Sequence, residues 1–296
     1  MNIANRLFAQ KDYDFRQNFL SLVKQNYGAA FEPIDFTVNP AAAAQHINKW
    51  VADQTRDKIQ DLIPANALNK LTRLVANALY LKAPWTDPFP DKATQPEPFH
   101  VRGGAPLDVP MMRKTDRFGY AKREGFTAVS LPYVGGDLQF LVLMHDDVNG
   151  LRTLESNLTA DVLAKCTRLE TQDVDLHLPK FKLEPPTIAL AENLQALGMK
   201  SAFNIPQGSA NFDKMAPRKP NDYLYISNVF HKTFIAVDEK GTEAAAATAV
   251  VMMRATAIAR PKPPPIEVKV DRPFIYAIQH VPSGGCLFLG RVTNPH

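Results

Sequence analysis

The side chains that ordinarily do chemistry are scattered through these 296 residues. The chain has no GxSxG elbow, no HExxH helix, no GxxxxGK(S/T) loop, no GxGxxG turn and no CxxC pair. The spacings that mark acyl transfer, zinc hydrolysis, phosphate binding or dinucleotide binding are therefore missing. Seven histidines are dispersed, and none stands at ligand spacing from a cysteine or carboxylate, which predicts no metal site. Cys166 and Cys286 are too few for a disulfide framework and too far apart for a metal knuckle. The basic run RKTDRFGYAKR holds Arg113, Lys114, Arg117, Lys122 and Arg123. It reads as the solvated face of a strand, with a polyanion site as the weaker alternative. What remains is GTEAAAATAV, from Gly241 to Val250. Four consecutive alanines favour helix and disfavour strand. Yet a glycine before them and the prolines from Pro261 to Pro265 punctuate the stretch as a loop. By itself such a run is a flexible or helical linker.

The elements around this loop mix helices and strands in no regular alternation. Phe15, Phe19, Leu20, Leu22 and Val23 give Tyr13 to Tyr27 one apolar helical face. Phe31 to Phe36 reads as a short strand. Asn39-Pro40 opens a second helix, with Ala43, Ile47, Trp50 and Val51 at helical spacing that continues weakly through Ile59, Leu62 and Ile63. LTRLVANALYL, Leu71 to Leu81, is nearly continuous in apolar residues. That predicts a strand buried on both faces in the middle of a large sheet, with Asn77 as an internal polar latch. FHVRGG, PLDVPMM, FGYAKR, FTAVSLPY and LQFLVLM predict antiparallel hairpins. Two short helices follow over Leu151 to Leu169. A strand covers Asp173 to Phe181, and a short helix from Leu190 to Met199 stops near Gly198. Tyr223 to Val237 alternates as one long strand. IEVKV, PFIYAIQHV and CLFLGRV close the chain as three more. The fold class is α+β.

Composition narrows the partners. Hydrophobic residues make up 45% and charged residues 22%, as in soluble globular proteins. The net charge of +4 is too small to make nucleic acid the main partner. No apolar run is long enough to span a membrane. MNIANRLFAQ lacks the apolar core of a signal peptide.

The motifs taken together resemble the serpins. VDEKGTEAAAATAV is similar to the hinge of an inhibitory reactive-centre loop. NALYLKAPW, VPMM, SLPY, LPKFKLE, LQALGM, ISNVFHKTF and DRPFIYAIQHVPSGGCLFLGRVTNP resemble other family segments, from about Ile3 to Pro295. The resemblance implies a single domain over residues 1–296. It implies a large mixed or antiparallel sheet with flanking helices, two smaller sheets and an exposed loop over about residues 239–265. Asn77 and His231 match shutter positions and Trp85 a breach position. The hinge falls on Glu239, Gly241, Thr242, Glu243, Ala244, Ala245, Ala246, Ala247 and Thr248.

The family mechanism gives the alanine run a physical reason. A cleaved loop that enters a sheet as a new strand buries every second residue. Thr242, Ala244, Ala246, Thr248 and Val250 would then point inward, and all are small or β-branched. Glu243, Ala245, Ala247 and Ala249 would face out. Bulky or charged residues at the inward positions stall insertion. The usual loop length puts the scissile bond at Ala255-Thr256, with Arg254-Ala255 as the neighbouring alternative. Arg254 suits a trypsin-like pocket and Ala255 an elastase-like one. Pro261 disfavours Arg260. RPKPPP lengthens the segment after the bait, so the register is open by a residue.

The resemblance implies an inhibitor that traps a serine protease as a covalent acyl-enzyme. It is not itself an enzyme and uses no cofactor. The alternative is a non-inhibitory or substrate-like member, or a fragment unable to insert its loop. The helices that family members carry ahead of ANRLF are not in this sequence, which leaves a fragment, a second chain or a degenerate member as readings. Family habit implies the extracellular space or the cell envelope. Loop-sheet oligomers are a further expectation, from an exposed strand donor and an open sheet.

Overall fold

The computed structural model describes residues 2–27, 30–69, 74–80, 82–220, 222–242 and 263–296. Along the chain come β1 (Asn2–Gln10), α1 (Gln17–Tyr27), β2 (Ala30–Ile34), α2 (Pro40–Gln54) and β3 (Leu74–Tyr80). Then follow β4 (Ala83–Pro84), β5 (Gln95–Phe99), β6 (Leu107–Arg123), β7 (Phe126–Pro132), β8 (Leu138–His145), α3 (Leu151–Asn157) and α4 (Ala160–Lys165). After these are β9 (Glu170–Pro179), β10 (Phe181–Leu183), β11 (Ile188–Ala189), α5 (Ala191–Ala196), β12 (Phe230–His231) and β13 (Ile235–Asp238). The last are β14 (Gly241–Thr242), β15 (Ile266–Lys269), β16 (Phe274–His280) and β17 (Gly285–Val292). The chain divides into two compact units, residues 1–81 with 184–234 and residues 82–183 with 235–296.

The first unit holds a three-stranded sheet ordered β2-β1-β3, parallel on one side of β1 and antiparallel on the other. α2 begins where Asn39 Oδ1 accepts the Ala42 N–H at 3.0 Å and Pro40 fills the first helical position. Its Ala43, Ile47 and Val51 are buried, which is the face the periodicity gave. The spacing through Ile59, Leu62 and Ile63 does not continue the helix. Arg56, Asp57 and Asp61 all take positive φ, so the chain turns repeatedly while those three side chains stay buried. Leu74–Tyr80 of the apolar run form β3, which pairs with β1 among the described residues, and the rest of that run lies outside them. Tyr223 to Val237 does not form one strand. Among the described residues only β12, paired with β11, and β13, paired with β10 and β14, are strands in it, and residues 223–229 form none.

The second unit is built on an eight-stranded sheet, ordered β15-β9-β6-β7-β8-β16-β17, with β5 also on β6. Two of the expected short strands are one. β6 runs 17 residues and pairs β5 with its first part, β7 with its last, and β9 along most of its length. β8 is buried on both faces, with Phe140, Leu141, Val142 and Leu143 at most 1% exposed, and its neighbours β7 and β16 are buried likewise. α3 and α4 cover one side, where Leu154 and Cys166 join Ala128, Leu141, Leu143, Ile275 and Ala277. Each large apolar side chain buried here contributes about 1.5–3 kcal/mol. Cys166 is buried, Cys286 is exposed, and both are free thiols. The basic run lies on β6 with its charges partly paired: Arg113 with Asp175, Lys114 with Asp116, and Lys122 with Asp146.

Candidate functional site

A small four-stranded sheet in the second unit, ordered β10-β13-β14-β4, holds the start of the alanine-rich segment. β13 and β14 form a tight hairpin around Glu239 and Lys240. The Asp238 carboxylate shapes it by accepting the N–H groups of Lys240 and Gly241 at 2.8 and 3.2 Å. β14 then lies antiparallel between β13 and β4, with Gly241 opposite Pro84 and Thr242 opposite Ala83. So two residues of the expected hinge are already a strand within a sheet.

Gly241 cannot be replaced without movement. Its φ is +148°, and a Cβ there would lie 2.4 Å from the Ala83 carbonyl oxygen and 2.6 Å from Pro84 Cα. Those are backbone atoms, which do not swing aside. Thr242 is 2% exposed, and its hydroxyl hydrogen-bonds the Tyr133 hydroxyl. Tyr133 is itself 1% exposed, and burial drives its phenol far above the ordinary tyrosine range. It therefore stays neutral, and the pair of hydroxyls satisfy one another inside the protein.

Trp85 forms the floor. Its ring stacks on Tyr133 at 4.7 Å between centroids and 8° between planes, and meets Phe140 edge-on at 5.7 Å. The indole N–H donates to the Asp238 carbonyl at 2.9 Å, and the Trp85 backbone N–H to the Lys240 carbonyl at 2.9 Å. Phe140 stacks in turn on Tyr276, whose phenol burial pushes up to about 12. The aromatic column thus ties the hairpin to the large sheet.

Glu239 anchors the turn from the other side. It is 8% exposed, and its carboxylate accepts Lys180 Nζ at 2.9 Å and Thr94 Oγ1 at 2.8 Å. The Phe89 N–H donates to its carbonyl at 2.8 Å. Desolvation pushes the Glu239 carboxyl up. The hydrogen bonds from Lys180, its own backbone and Thr94 outweigh that and hold it below the ordinary glutamate value. An ionised carboxylate at the base of the hinge is therefore the settled state at neutral pH.

The structure brings Glu239, Gly241, Thr242 and Trp85 into one place. Asn77 lies in β3, and His231 is exposed in β12. Glu243, Ala244, Ala245, Ala246, Ala247 and Thr248 lie outside the described residues, as do Arg254, Ala255 and Thr256. Sequence reasoning missed Tyr133, Lys180 and Thr94. Tyr133 closes the quoted SLPY and Lys180 sits in LPKFKLE, but no local spacing links either to residue 239 or 242.

Comparison with known proteins gives the arrangement its context. A family profile described as Serpin (serine protease inhibitor) matches residues 1–295. The chain is 38% identical over 305 residues to leukocyte elastase inhibitor of Bos taurus, covering 100% of this chain and 78% of that protein. It is 36% identical over 301 residues to serpin B6 of Macaca fascicularis, covering 100% of this chain and 77% of that one. Among solved structures, a cleaved serpin 42Da superposes with a TM-score of 0.83 at 33% identity, over 100% of this chain and 76% of that one. Uncleaved ovalbumin superposes with a TM-score of 0.83 at 29% identity, over 99% and 73%. With a family profile matched over residues 1–295 and relatives of this identity, this protein belongs to the serpin family of serine protease inhibitors.

Proposed function

We propose that the chain, acting as one inhibitory domain, offers its loop as bait and traps the attacking protease by lengthening β14. The observation that carries this reading is the seating of Gly241 and Thr242 as a strand between β13 and β4, with the Thr242 side chain buried. The protease serine attacks the carbonyl of Arg254 or Ala255. The peptide bond breaks, and the new amino terminus at Ala255 or Thr256 leaves with the C-terminal fragment. The protease stays esterified to the upstream end. Residues 243 onward then follow Thr242 into the sheet, with Ala244, Ala246, Thr248 and Val250 as the inward side chains. None is bulky or charged, so none imposes overpacking or the desolvation of a charge. Asn77 and His231 would act in opening the sheet, and Trp85 in holding its entrance. The leukocyte elastase inhibitor named among the relatives supports a small bait residue, hence Ala255, over Arg254.

The test mixes the purified chain with pancreatic elastase and, separately, with trypsin, on a denaturing gel. A protease–chain band that survives denaturation is expected with elastase, with release of a peptide whose mass begins at Thr256. A peptide that begins at Ala255 moves the bait to Arg254 and the target to a trypsin-like protease. Complete cleavage without any stable complex by either protease would overturn the trapping reading.

A further inference from the structure

The sequence predicts no histidine at ligand spacing from a carboxylate, but residues two apart in a strand share a face. Asp175 and His177 lie so on β9. β15 runs parallel beside them and sets Glu267 opposite Asp175. One potential ligand atom from each of Asp175, His177 and Glu267 lies within 4.8 Å of the other two.

The histidine gives this cluster its direction. His177 is 4% exposed, and its Nε2 is buried without a hydrogen-bond partner. A buried unsatisfied ring nitrogen in a native fold calls for an explanation. The other ring nitrogen, Nδ1, lies 2.9 Å from both carboxylate oxygens of Glu97. A carboxylate can only accept, so Nδ1 carries a proton, and in the neutral imidazole, the form that binds metal, Nε2 then presents its lone pair. That lone pair faces the Asp175 carboxylate, at 3.9 Å, too far for a hydrogen bond. A carboxylate behind Nδ1 and an open lone pair at Nε2 is the arrangement by which proteins orient a metal-binding imidazole.

We infer that His177 Nε2, Asp175 and Glu267 form a divalent-metal site suited to Zn2+, with Glu97 orienting the imidazole. One nitrogen and two carboxylate oxygens leave a fourth, water-filled position in a tetrahedral shell. Two ligands on one tetrahedral zinc stand about 3.4 Å apart at bond lengths near 2.1 Å, so a cluster within 4.8 Å closes by at most about 1.4 Å to bind. The Glu267 side chain is 59% exposed and free to make that move, and leaves Lys269, now 3.1 Å away, in doing so. The opposing charge is Arg113, whose Nη2 lies 2.6 Å from Asp175 Oδ2. Its side chain is 54% exposed, so it can withdraw toward solvent. Thr115 Oγ1 continues to hold the other Asp175 oxygen at 3.1 Å. The ion would fasten β15, a four-residue edge strand, to β9. β15 is the strand that receives the chain after the loop, so the ion would fix the loop's downstream anchor.

The experiment titrates the chelator-treated full-length chain with ZnCl2 by calorimetry near neutral pH, beside Glu267→Gln and His177→Gln. One saturable equivalent is expected, weakened at least about tenfold in each variant, as for loss of a ligand or of its orienting partner. Zinc should also slow amide exchange in residues 266–269 of the parent and not of the variants. Glu267 is exposed, so E267Q decides the matter even where H177Q does not fold. Absence of saturable binding, or binding of equal strength in the parent and E267Q, would overturn the site.

Discussion

Thr242→Arg abolishes the stable protease complex while the loop is still cut. The guanidinium would have to enter a position now 2% exposed, filled by a threonine whose hydroxyl bonds Tyr133. Burying an unpaired charge costs several kcal/mol even after relaxation. The described carboxylates of the hairpin are already engaged, Glu239 by Lys180 and Thr94 and Asp238 by the N–H groups of Lys240 and Gly241. Trapping competes with deacylation, so a barrier raised by about 3 kcal/mol shifts that competition more than a hundredfold. The variant becomes a substrate: the cleavage rate stays within about threefold of the parent and the complex band disappears. Thr242→Val is the matched control. It keeps the volume but leaves the Tyr133 hydroxyl alone in the interior, a cost of about 1–3 kcal/mol, and should lower the yield of complex without removing it. If T242R still forms complex at the parental yield, trapping does not depend on an uncharged side chain at the start of the inserting segment, and lengthening of β14 is not the mechanism.

Trp85→Ala strikes the second-largest effect, on stability. Trp85 is 2% exposed and stacks on Tyr133, so its removal opens a cavity beneath both Tyr133 and the hinge. Truncating a buried tryptophan costs about 3–5 kcal/mol, and the aromatic stack accounts for about 0.5–1.5 of that. The indole N–H bond to the Asp238 carbonyl goes as well. Urea unfolding should show an unfolding free energy lowered by that amount, seen as a lower midpoint with the slope unchanged. Trp85→Phe keeps a stacked ring and should recover more than half of the loss. A cost below about 1 kcal/mol for W85A would mean that the aromatic column does not carry the hinge.

Much of the fold was legible because local chemistry dictated it. Asn39-Pro40 announces α2, and Ala43, Ile47 and Val51 mark its buried face. FTAVSLPY and LQFLVLM pair as β7 and β8 across a short glycine turn. Other readings failed where a property belongs to a neighbour and not to the segment. Tyr223 to Val237 alternates well, but alternation assigns faces and cannot supply the strand that must lie alongside.

The site divides the same way. Small residues after Gly241 were visible as an oddity, and the resemblance gave them a role. The seat itself was not visible, since Tyr133 and Thr242 are 109 residues apart and Trp85 and Asp238 are 153 apart. Likewise the Asp175 and His177 pair looks unremarkable until β15 brings Glu267 beside it.

The central claim is that the cleaved loop becomes a strand. The direct measurement compares thermal unfolding of the intact chain with that of the same chain cut once in the loop, with the peptide still bound. A new strand adds buried surface and a full set of ladder hydrogen bonds. At about 2–4 °C per kcal/mol for a chain of this class, cleavage should raise Tm by about 20 °C or more. A cleaved chain that melts at or below the temperature of the intact one would contradict loop insertion.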